Sequence, residues 1–330
     1  MSYLNKPLEK GKLKSKNRLV MPPMATAKSD EDGSLTKDIL DYYNEKSEGG
    51  YIGLIIIEHS FVCKQGKASD RQLSISKDSD VDKLKELANI IHKNGSKAVM
   101  QINHAGSAAS KTVTGIDVLG PSAVSNPFKS DTIPKELSIE EIKDIISQFK
   151  NAALRVKEAG FDGVEIHSAH GYLLNQFMSP LTNKRTDQYG GNLQGRIKLH
   201  LDIIKEVRSS VGQEFPILLR LGASDYMEGG TTIEDSIASA KEFEKAGLDM
   251  LDISGGFCRY SLPGHSEQGY FAPLSKAIKE SVSIPVIVAG GITDVNVAEE
   301  ILSDDKADLI GVARAILKDS KWAKKAMESL

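Results

Sequence analysis

The chain of 330 residues carries 40% hydrophobic and 26% charged side chains, and its formal net charge is only -3. This balance offers no basic surface for nucleic acid or an anionic membrane, and no apolar run is long enough to cross a bilayer. Two cysteines, Cys63 and Cys258, are too few for a disulfide framework and form no CxxC metal motif. Because no N-terminal signal peptide is recognisable, the sequence predicts a cytoplasmic globular protein.

Eight short apolar runs, rich in β-branched residues, recur along the chain and predict strands. Their nearly continuous apolar character is typical of parallel strands covered on both faces. They occupy residues 18–21, 51–57, 97–102, 161–167, 215–221, 248–254, 284–290 and 307–313.

Amphipathic segments between these runs predict helices. One helix is expected over 80–94. A second is expected over 138–159, where Ser138 and Glu141 can form a capping box. Others are expected to begin at Asn192 and within 231–249. The alternation predicts a single (β/α)₈ TIM barrel domain spanning 1–330. An open doubly wound sheet is the alternative, but no glycine-rich fingerprint follows the first strand.

Polar residues cluster where the predicted strands end. Strand three ends with Gln101, strand four carries Glu165 and His167 at alternate positions, and strand five carries Arg220. The carboxyl ends of all strands meet at one barrel face, where active sites lie. The long segment 103–137, rich in glycine, serine, proline and threonine, is expected to shape that site.

These patterns leave alternatives open. Arg220 and Glu165 on neighbouring strands could simply neutralise each other. The pair His167 and His170 could bind a metal, although that spacing is usually credible on a helix. Glycines after strands seven and eight could form only turns, or they could let backbone N–H groups approach a phosphate.

The run "HSAHGYLLNQFMSPLTNKRTDQYGGNLQGR" (167–196) resembles the signature region of the Old Yellow Enzyme family of FMN-dependent ene-reductases. "NRLVMPPM", "RQLSIS", "QINHAG", "DISGG", "AGGI" and "GVARAIL" match further landmarks of that family in order. The resemblance extends from Asn17 to Trp322. The two histidines and the "PM" of the first strand are most similar to the YqjM-like and enoate-reductase branches. We expect the chain to lack the iron–sulfur and second nucleotide-binding domains of larger relatives.

The resemblance implies a non-covalent FMN across the mouth of the barrel. Pro22, Pro23, Met24 and Ala25 would line the isoalloxazine edge, with His59 near it. Gln101 would bond the pyrimidine ring, and Arg220 would lie near N1 and the C2 oxygen, where negative charge develops on reduction. The residues expected to hold the phosphate are Gly290, Gly291, Ala313 and Arg314.

The resemblance also implies a reaction. His167 and His170 would bond the carbonyl oxygen of an α,β-unsaturated substrate, flavin N5 would give hydride to the β-carbon, and Tyr172 would protonate the α-carbon. NADH or NADPH would reduce the flavin in a ping-pong cycle, and no metal is expected. The sequence does not indicate which of the two nucleotides is preferred. The sequence is also compatible with a homo-oligomer.

Several positions depart from the family pattern and leave the substrate open. Ala25 stands where threonine or cysteine often touches the flavin, and Ala27 replaces a pocket tyrosine. His59 replaces a small residue, Ser107 a common arginine, and Ala313 the usual glycine.

Two other functions remain compatible with the residues. One is a flavin-free barrel lyase or isomerase that uses Glu165, His167 and His170. The other is a flavin-binding barrel with a different oxidoreductase substrate.

Overall fold

The computed structural model describes residues 2–262 and 264–330, and a closed barrel of eight parallel strands dominates it. The strands follow one another around the barrel in chain order, with the last strand pairing with the first. They are β1 (Leu19–Met21), β2 (Leu54–Phe61), β3 (Lys97–Asn103), β4 (Gly163–Ser168), β5 (Ile217–Gly222), β6 (Met250–Ser254), β7 (Val286–Ala289) and β8 (Leu309–Gly311).

Helices connect the strands on the outside, which confirms the predicted (β/α)₈ TIM barrel and excludes the open sheet. None of the described helices has the length and apolar character to cross a membrane. They are α1 (Lys37–Ser47), α2 (Val81–Lys93), α3 (Lys111–Thr114), α4 (Ile139–Glu158), α5 (Leu173–Met178), α6 (Leu193–Arg196), α7 (Lys198–Val211), α8 (Ile233–Lys245), α9 (Ala272–Lys279), α10 (Val295–Ser303), α11 (Arg314–Lys318) and α12 (Trp322–Glu328).

Local sequence signals fixed several element ends. The predicted capping box begins α4: the Glu141 N–H donates to Ser138 Oγ at 3.2 Å, and the Ser138 N–H donates to Glu141 Oε2 at 2.7 Å. Asn192 caps the predicted helix, which is divided into α6 and α7. The predicted bounds of the second strand, 51–57, are wrong at both ends, because the strand runs from Leu54 to Phe61.

Two apolar layers hold the barrel together. Outward-facing strand residues such as Ile55, Met100 and Ile166 pack against the helices in one large core. Alternate residues point inward, where Val20, Ile56, Val99, Leu218, Met250 and Ile287 form a separate small core. Leu8 and Leu13 from the N-terminal segment join this inner core, so apolar burial closes one end of the barrel.

The inner layer beyond this small core is polar. Gln101, Glu165, Arg220 and Asp252 lie two residues along their strands from Val99, Gly163, Leu218 and Met250, and all four are buried. Because strand side chains alternate between faces, these polar groups also point into the barrel. They form the floor of a site at the C-terminal ends of the strands.

The segment between β3 and α4 folds over this end of the barrel. Arg185 donates to the carbonyl oxygens of Pro121 at 2.8 Å and Leu137 at 2.6 Å. Asn126 donates to the Gly171 carbonyl at 3.0 Å, which ties the segment to the turn after β4. The predicted active-site segment is therefore held by hydrogen bonds from the β4–α6 region.

Arg208, near the end of α7, secures the opposite end of β5. Its guanidinium donates to the carbonyls of Phe215 at 2.7 Å and Gly247 at 2.9 Å, and it pairs with the buried Asp249. Asp249 also accepts from the Ile217 N–H at 2.9 Å, at the first residue of β5. A buried ion pair of this kind is costly to break on one side.

Replacing Arg208 with Met should therefore lower the free energy of unfolding by about 3–5 kcal/mol, the range for removing one partner of a buried pair. Urea unfolding followed by circular dichroism measures this change. Lys205→Met, on the exposed side of the same helix, is the matched control and should have little effect. Equal unfolding midpoints for the two variants would contradict the assigned role of Arg208.

Candidate active site

A cavity of about 460 Å³ opens at the C-terminal ends of the strands. It is lined by residues from the ends of β1, β2, β5, β6, β7 and β8 and from the turn after β4. All of the sequence-predicted site residues except Gln101 and His167 line it. Those in the lining are Pro22, Pro23, Met24, Ala25, His59, His170, Tyr172, Arg220, Gly290, Gly291, Ala313 and Arg314.

The segment after β1 forms a fixed ledge on one side of the cavity. Glu58, buried in the middle of β2, accepts two hydrogen bonds from Thr26: from its N–H at 3.0 Å and from its Oγ1 at 2.7 Å. Burial raises the pKa of Glu58 to about 7, and the bonds from Thr26 oppose that rise. These bonds hold the Pro22–Ala25 backbone immediately before Thr26 in one position.

An irregularity in β2 brings His59 into the cavity. Its register against β3 shifts between Ile57 and Ser60, so Glu58 and His59 depart from the regular inward and outward alternation. The side-chain amide of Gln72 approaches His59 Nδ1 at 2.6 Å, and its oxygen accepts from the Ala68 N–H at 2.6 Å. Because that oxygen is occupied, the amide N–H₂ donates to Nδ1, and the ring proton lies on Nε2. Burial lowers the pKa of His59 to about 4, so the ring is neutral.

His167, His170 and Tyr172 converge within a few ångströms. The ring centroid of His167 lies 5.2 Å from that of His170 and 5.0 Å from that of Tyr172, both in edge-on contact. His167 is on β4 and points inward below the cavity surface. His170 follows the strand with a φ of 59°, an unusual backbone state for a residue with a side chain. This turn aims the second imidazole back over the barrel.

Both imidazoles are neutral. Burial lowers the pKa of His167 well below its usual value, and the nearby His170 adds to this effect. Burial lowers the pKa of His170 in the same way, assisted by the charge of Arg220. Ser254, at the end of β6, bonds His170 Nε2 at 2.8 Å and fixes the ring. Burial also raises the pKa of Tyr172, so this phenol keeps its proton at neutral pH.

In the polar floor, Glu165 and Arg220 do not pair with each other as the sequence allowed; each has another partner. Glu165 accepts from Gln101 Nε2 at 2.7 Å, while Arg220 Nη1 lies 3.4 Å from Asp252 Oδ2. Gln101 therefore bonds a neighbouring strand and is absent from the cavity lining. Within the described residues, Arg220 Nε and Nη1 make no hydrogen bond although they are buried. Unused buried donors of this kind call for an acceptor.

Bare backbone lines the side of the cavity formed by β7 and β8. Gly291 has a φ of +70°, and a Cβ placed there would lie 2.6 Å from the Tyr270 ring. Arg314 Nη2 donates to Tyr270 Oη at 3.3 Å. No carboxylate among the described residues forms an ion pair with Arg314. Exposed backbone beside an uncompensated guanidinium is typical of a barrel phosphate site.

These observations fit FMN. Its phosphate matches the glycine backbone and Arg314, and its ring oxygens and nitrogens are acceptors for the unused donors of Arg220. The described residues contain no group of three or more histidine, cysteine or acidic side chains arranged to hold a metal ion. The fold and the cavity thus define a TIM barrel built to hold a planar, phosphorylated cofactor.

Comparison with known proteins identifies the family. Residues 3–330 match the model of the NADH:flavin oxidoreductase / NADH oxidase family. The chain is 42% identical to an NADH oxidase of Thermoanaerobacter brockii, with 96% of this chain and 50% of that protein covered. It is 41% identical to an NADPH dehydrogenase of Halalkalibacterium halodurans, with 94% and 90% covered. An Old Yellow Enzyme homologue from Zymomonas mobilis superposes with a TM-score of 0.86 at 25% identity, covering 99% and 92%.

The chain belongs to the NADH:flavin oxidoreductase / NADH oxidase family. The resemblance to Old Yellow Enzymes found in the sequence is confirmed, and so is the assignment of FMN and a nicotinamide nucleotide as the cofactors of this class. The chain spans about half the length of the NADH oxidase that it matches, and most of the NADPH dehydrogenase.

Several residues of the site, including Ser254, Gln72, Arg259 and Tyr260, were not predicted from the sequence. Ser254 lies two positions after Asp252 on β6, so strand alternation could have pointed to it. Gln72 and Arg259 reach the site from loops, and no local signal in the sequence reveals their contacts.

If Arg314 holds the phosphate, Arg314→Ala should weaken FMN binding by about ten- to a hundredfold, as expected for one charge-assisted interaction. Titration of apoprotein with FMN, followed by quenching of flavin fluorescence, measures the affinity. Lys318→Ala removes the same charge from the same helix outside the cavity and should bind FMN normally. Unchanged affinity in Arg314→Ala would remove this residue from the phosphate site.

Proposed function

We propose that the chain uses NAD(P)H to reduce the activated C=C bond of α,β-unsaturated carbonyl compounds through bound FMN. The observation that carries this proposal is the convergence of His167, His170 and Tyr172 beside one cavity. Two neutral imidazoles and one protonated phenol supply hydrogen-bond donors and a proton without adding charge. Bound FMN supplies the hydride chemistry that no side chain of the cavity offers.

The residues expected to hold FMN fall into groups, each of which would bind a different part of the cofactor. The ledge of Pro22, Pro23, Met24 and Ala25 and the ring of His59 form a surface for the planar ring system. Arg220 would hold the pyrimidine edge with its unused donors, and its fixed positive charge would favour added electron density there. The last set binds the phosphate and consists of Gly290, Gly291, Ala313 and Arg314. Gln101 donates to Glu165 in the polar floor below these residues.

The histidine pair acts on the substrate oxygen. His167 and His170 each donate one N–H to the carbonyl oxygen, which withdraws electrons from the conjugated double bond. Neutral donors suit this task because they stabilise the developing enolate and cannot trap it by full proton transfer as readily as imidazolium would. Ser254 keeps the His170 ring oriented, so little reorganisation is needed as negative charge develops.

Tyr172 supplies the proton. Its ring lies 5.0 Å from His167 and 5.5 Å from His59, so the hydroxyl is held at the same end of the cavity as the imidazoles. The raised pKa keeps the proton on the hydroxyl until the α-carbon gains negative charge. The phenolate left behind is then reprotonated from solvent, because Tyr172 is partly exposed.

A flavin-free lyase or isomerase is less well supported. That reaction would use Glu165 as a base, but Glu165 is committed to Gln101 and lies outside the cavity lining. Burial, together with the charge of Asp252, raises the pKa of Glu165 well above its usual value. A carboxyl whose two oxygens are both buried, one of them bonded to Gln101, is a poor general base.

Removing either imidazole should slow transfer to the substrate. His167→Ala and His170→Ala should each reduce the rate of the oxidative half-reaction with 2-cyclohexenone by about 10²–10³, the usual cost of losing one oxyanion donor. Stopped-flow absorbance of the flavin measures this rate. His265→Ala, an exposed histidine outside the cavity lining, is the control. Rates unchanged in both variants would refute the role of the pair.

Tyr172→Phe should separate the two halves of the cycle. Flavin reduction by NAD(P)H should stay nearly unchanged, while reduction of 2-cyclohexenone should slow by about 10²–10⁴, the range for a positioned general acid. A nitroalkene should be affected less, because its carbanion persists until water protonates it. Tyr226→Phe, outside the cavity lining, controls for loss of a hydroxyl. Equal slowing of both halves would show that Tyr172 has only a structural role.

A further inference from the structure

Arg259 lines the cavity together with His170 and Tyr172, and the proposed reaction gives it no role. It lies in the loop after β6 with a φ of 63°, and its N–H donates to the Gly256 carbonyl at 2.9 Å. A left-handed backbone is unfavourable for a residue with a long side chain. The tight turn nevertheless directs this arginine towards the two catalytic candidates.

Two aromatic rings hold the guanidinium. The carbon at its centre lies 4.9 Å from the ring centroid of Phe128 and 5.3 Å from that of Tyr260. Phe128 comes from the segment between β3 and α4, and its ring also contacts Phe257 at 6.2 Å. The Tyr260 ring meets His170 edge-on at 6.1 Å. Cation–π contacts fix the position of a cation but leave its charge and its N–H donors available.

No carboxylate among the described residues forms an ion pair with the exposed guanidinium of Arg259, and the cavity lining contains three arginines and no acidic side chain. Arg220 lies beside Asp252, and Arg314 lies beside the glycine backbone of β7. Arg259 is therefore a third, separate cation, placed on the side of the cavity where His170 and Tyr172 meet the substrate.

We propose that Arg259 binds a carboxylate on the compound that is reduced. This inference rests on the proposed function and narrows its substrate to an unsaturated carbonyl compound that carries a second, anionic group. The neutral imidazoles bind the activating carbonyl oxygen, and the guanidinium fork binds the carboxylate through two parallel N–H donors. The arrangement orients the double bond from both ends.

A binding comparison tests this inference without turnover. Oxidised FMN-loaded protein is titrated with 4-hydroxybenzoate and with its neutral counterpart 4-hydroxybenzamide, and with the two 3-hydroxy isomers, while flavin absorbance is recorded. The measured quantity is the ratio of the two dissociation constants for each isomer. Intrinsic differences between acid and amide are the same in every variant, so they cancel when ratios are compared.

In Arg259→Gln the preference for at least one acid over its amide should fall by about ten- to a hundredfold relative to wild type, with amide affinity nearly unchanged. Arg259→Lys should retain part of the preference, and rising salt should weaken acid binding wherever position 259 keeps a positive charge but not in Arg259→Gln. Lys241→Gln, an exposed residue on α8, removes the same charge elsewhere and should behave as wild type. Equal ratios in Arg259→Gln and wild type for both isomers would overturn the proposal.

Two further measurements distinguish a failure of the carboxylate assignment from a failure of the proposed function. If Arg259→Gln instead weakens NADH or NADPH in the reductive half-reaction and leaves the acid-to-amide ratios unchanged, the guanidinium serves the nucleotide phosphates and the substrate assignment is wrong. Oxidative half-reactions with 4-oxopent-2-enoate and its ethyl ester repeat the comparison in catalysis. Reduction of 2-cyclohexenone by the wild-type protein tests the proposed function independently of the carboxylate site, because this substrate carries no carboxylate.

Discussion

The rest of the site depends on one constraint, the Arg220 guanidinium, which is buried inside the barrel with donors that none of the described residues accepts from. Burial raises the pKa of the neighbouring Asp252 to about 6, an effect that Arg220 opposes, and raises that of Glu165 further. Asp252 is nevertheless ionised at neutral pH and lies 3.4 Å from Arg220 Nη1, but Nε and Nη1 of the guanidinium make no hydrogen bond among the described residues. A buried cation is tolerated only where acceptors satisfy it. The unmade hydrogen bonds of Arg220 cost stability in the protein alone, and they favour a ligand whose acceptor atoms gain electron density over this floor.

The positively charged side chains that line this cavity are arginines, because burial keeps the histidines neutral. Arginine remains protonated under all ordinary conditions, whereas a buried imidazole loses its proton, the more readily when an arginine is close. The pKa values of His59, His167 and His170 are all lowered by burial first, with neighbouring positive charges adding to the effect at His167 and His170. The cavity thus separates fixed positive charge from neutral hydrogen-bond donors, and the reactivity expected of the histidines does not depend on titration near neutral pH.

Much of this arrangement could be read from the sequence because it depends on periodicity. Alternation along β4 places Glu165 and His167 on the inner face, and alternation along β5 does the same for Arg220. Contacts that depend on tertiary structure could not be read. The shift in β2 turns His59 into the cavity against simple alternation, and Gln72 fixes its tautomer from a distant loop. Gln101 was predicted at the end of strand three, but no pattern in the sequence indicated that Glu165 would be its partner. Its predicted bond to the flavin stays a prediction.

Strands and loops contribute different parts of the site. Strand ends carry Arg220, His167 and the glycines of β7, which are fixed by the hydrogen bonds and inner layers of the barrel. Phe128, Arg259 and Tyr260 come from two loops that meet only over the cavity. A change in these loops alters the chemistry of the cavity mouth without disturbing the inner layers, so selectivity can change while cofactor binding is kept. Ala25 and His59 line the same cavity as these loops, so a change of side chain at either position alters the volume and polarity of the cavity without removing a strand hydrogen bond.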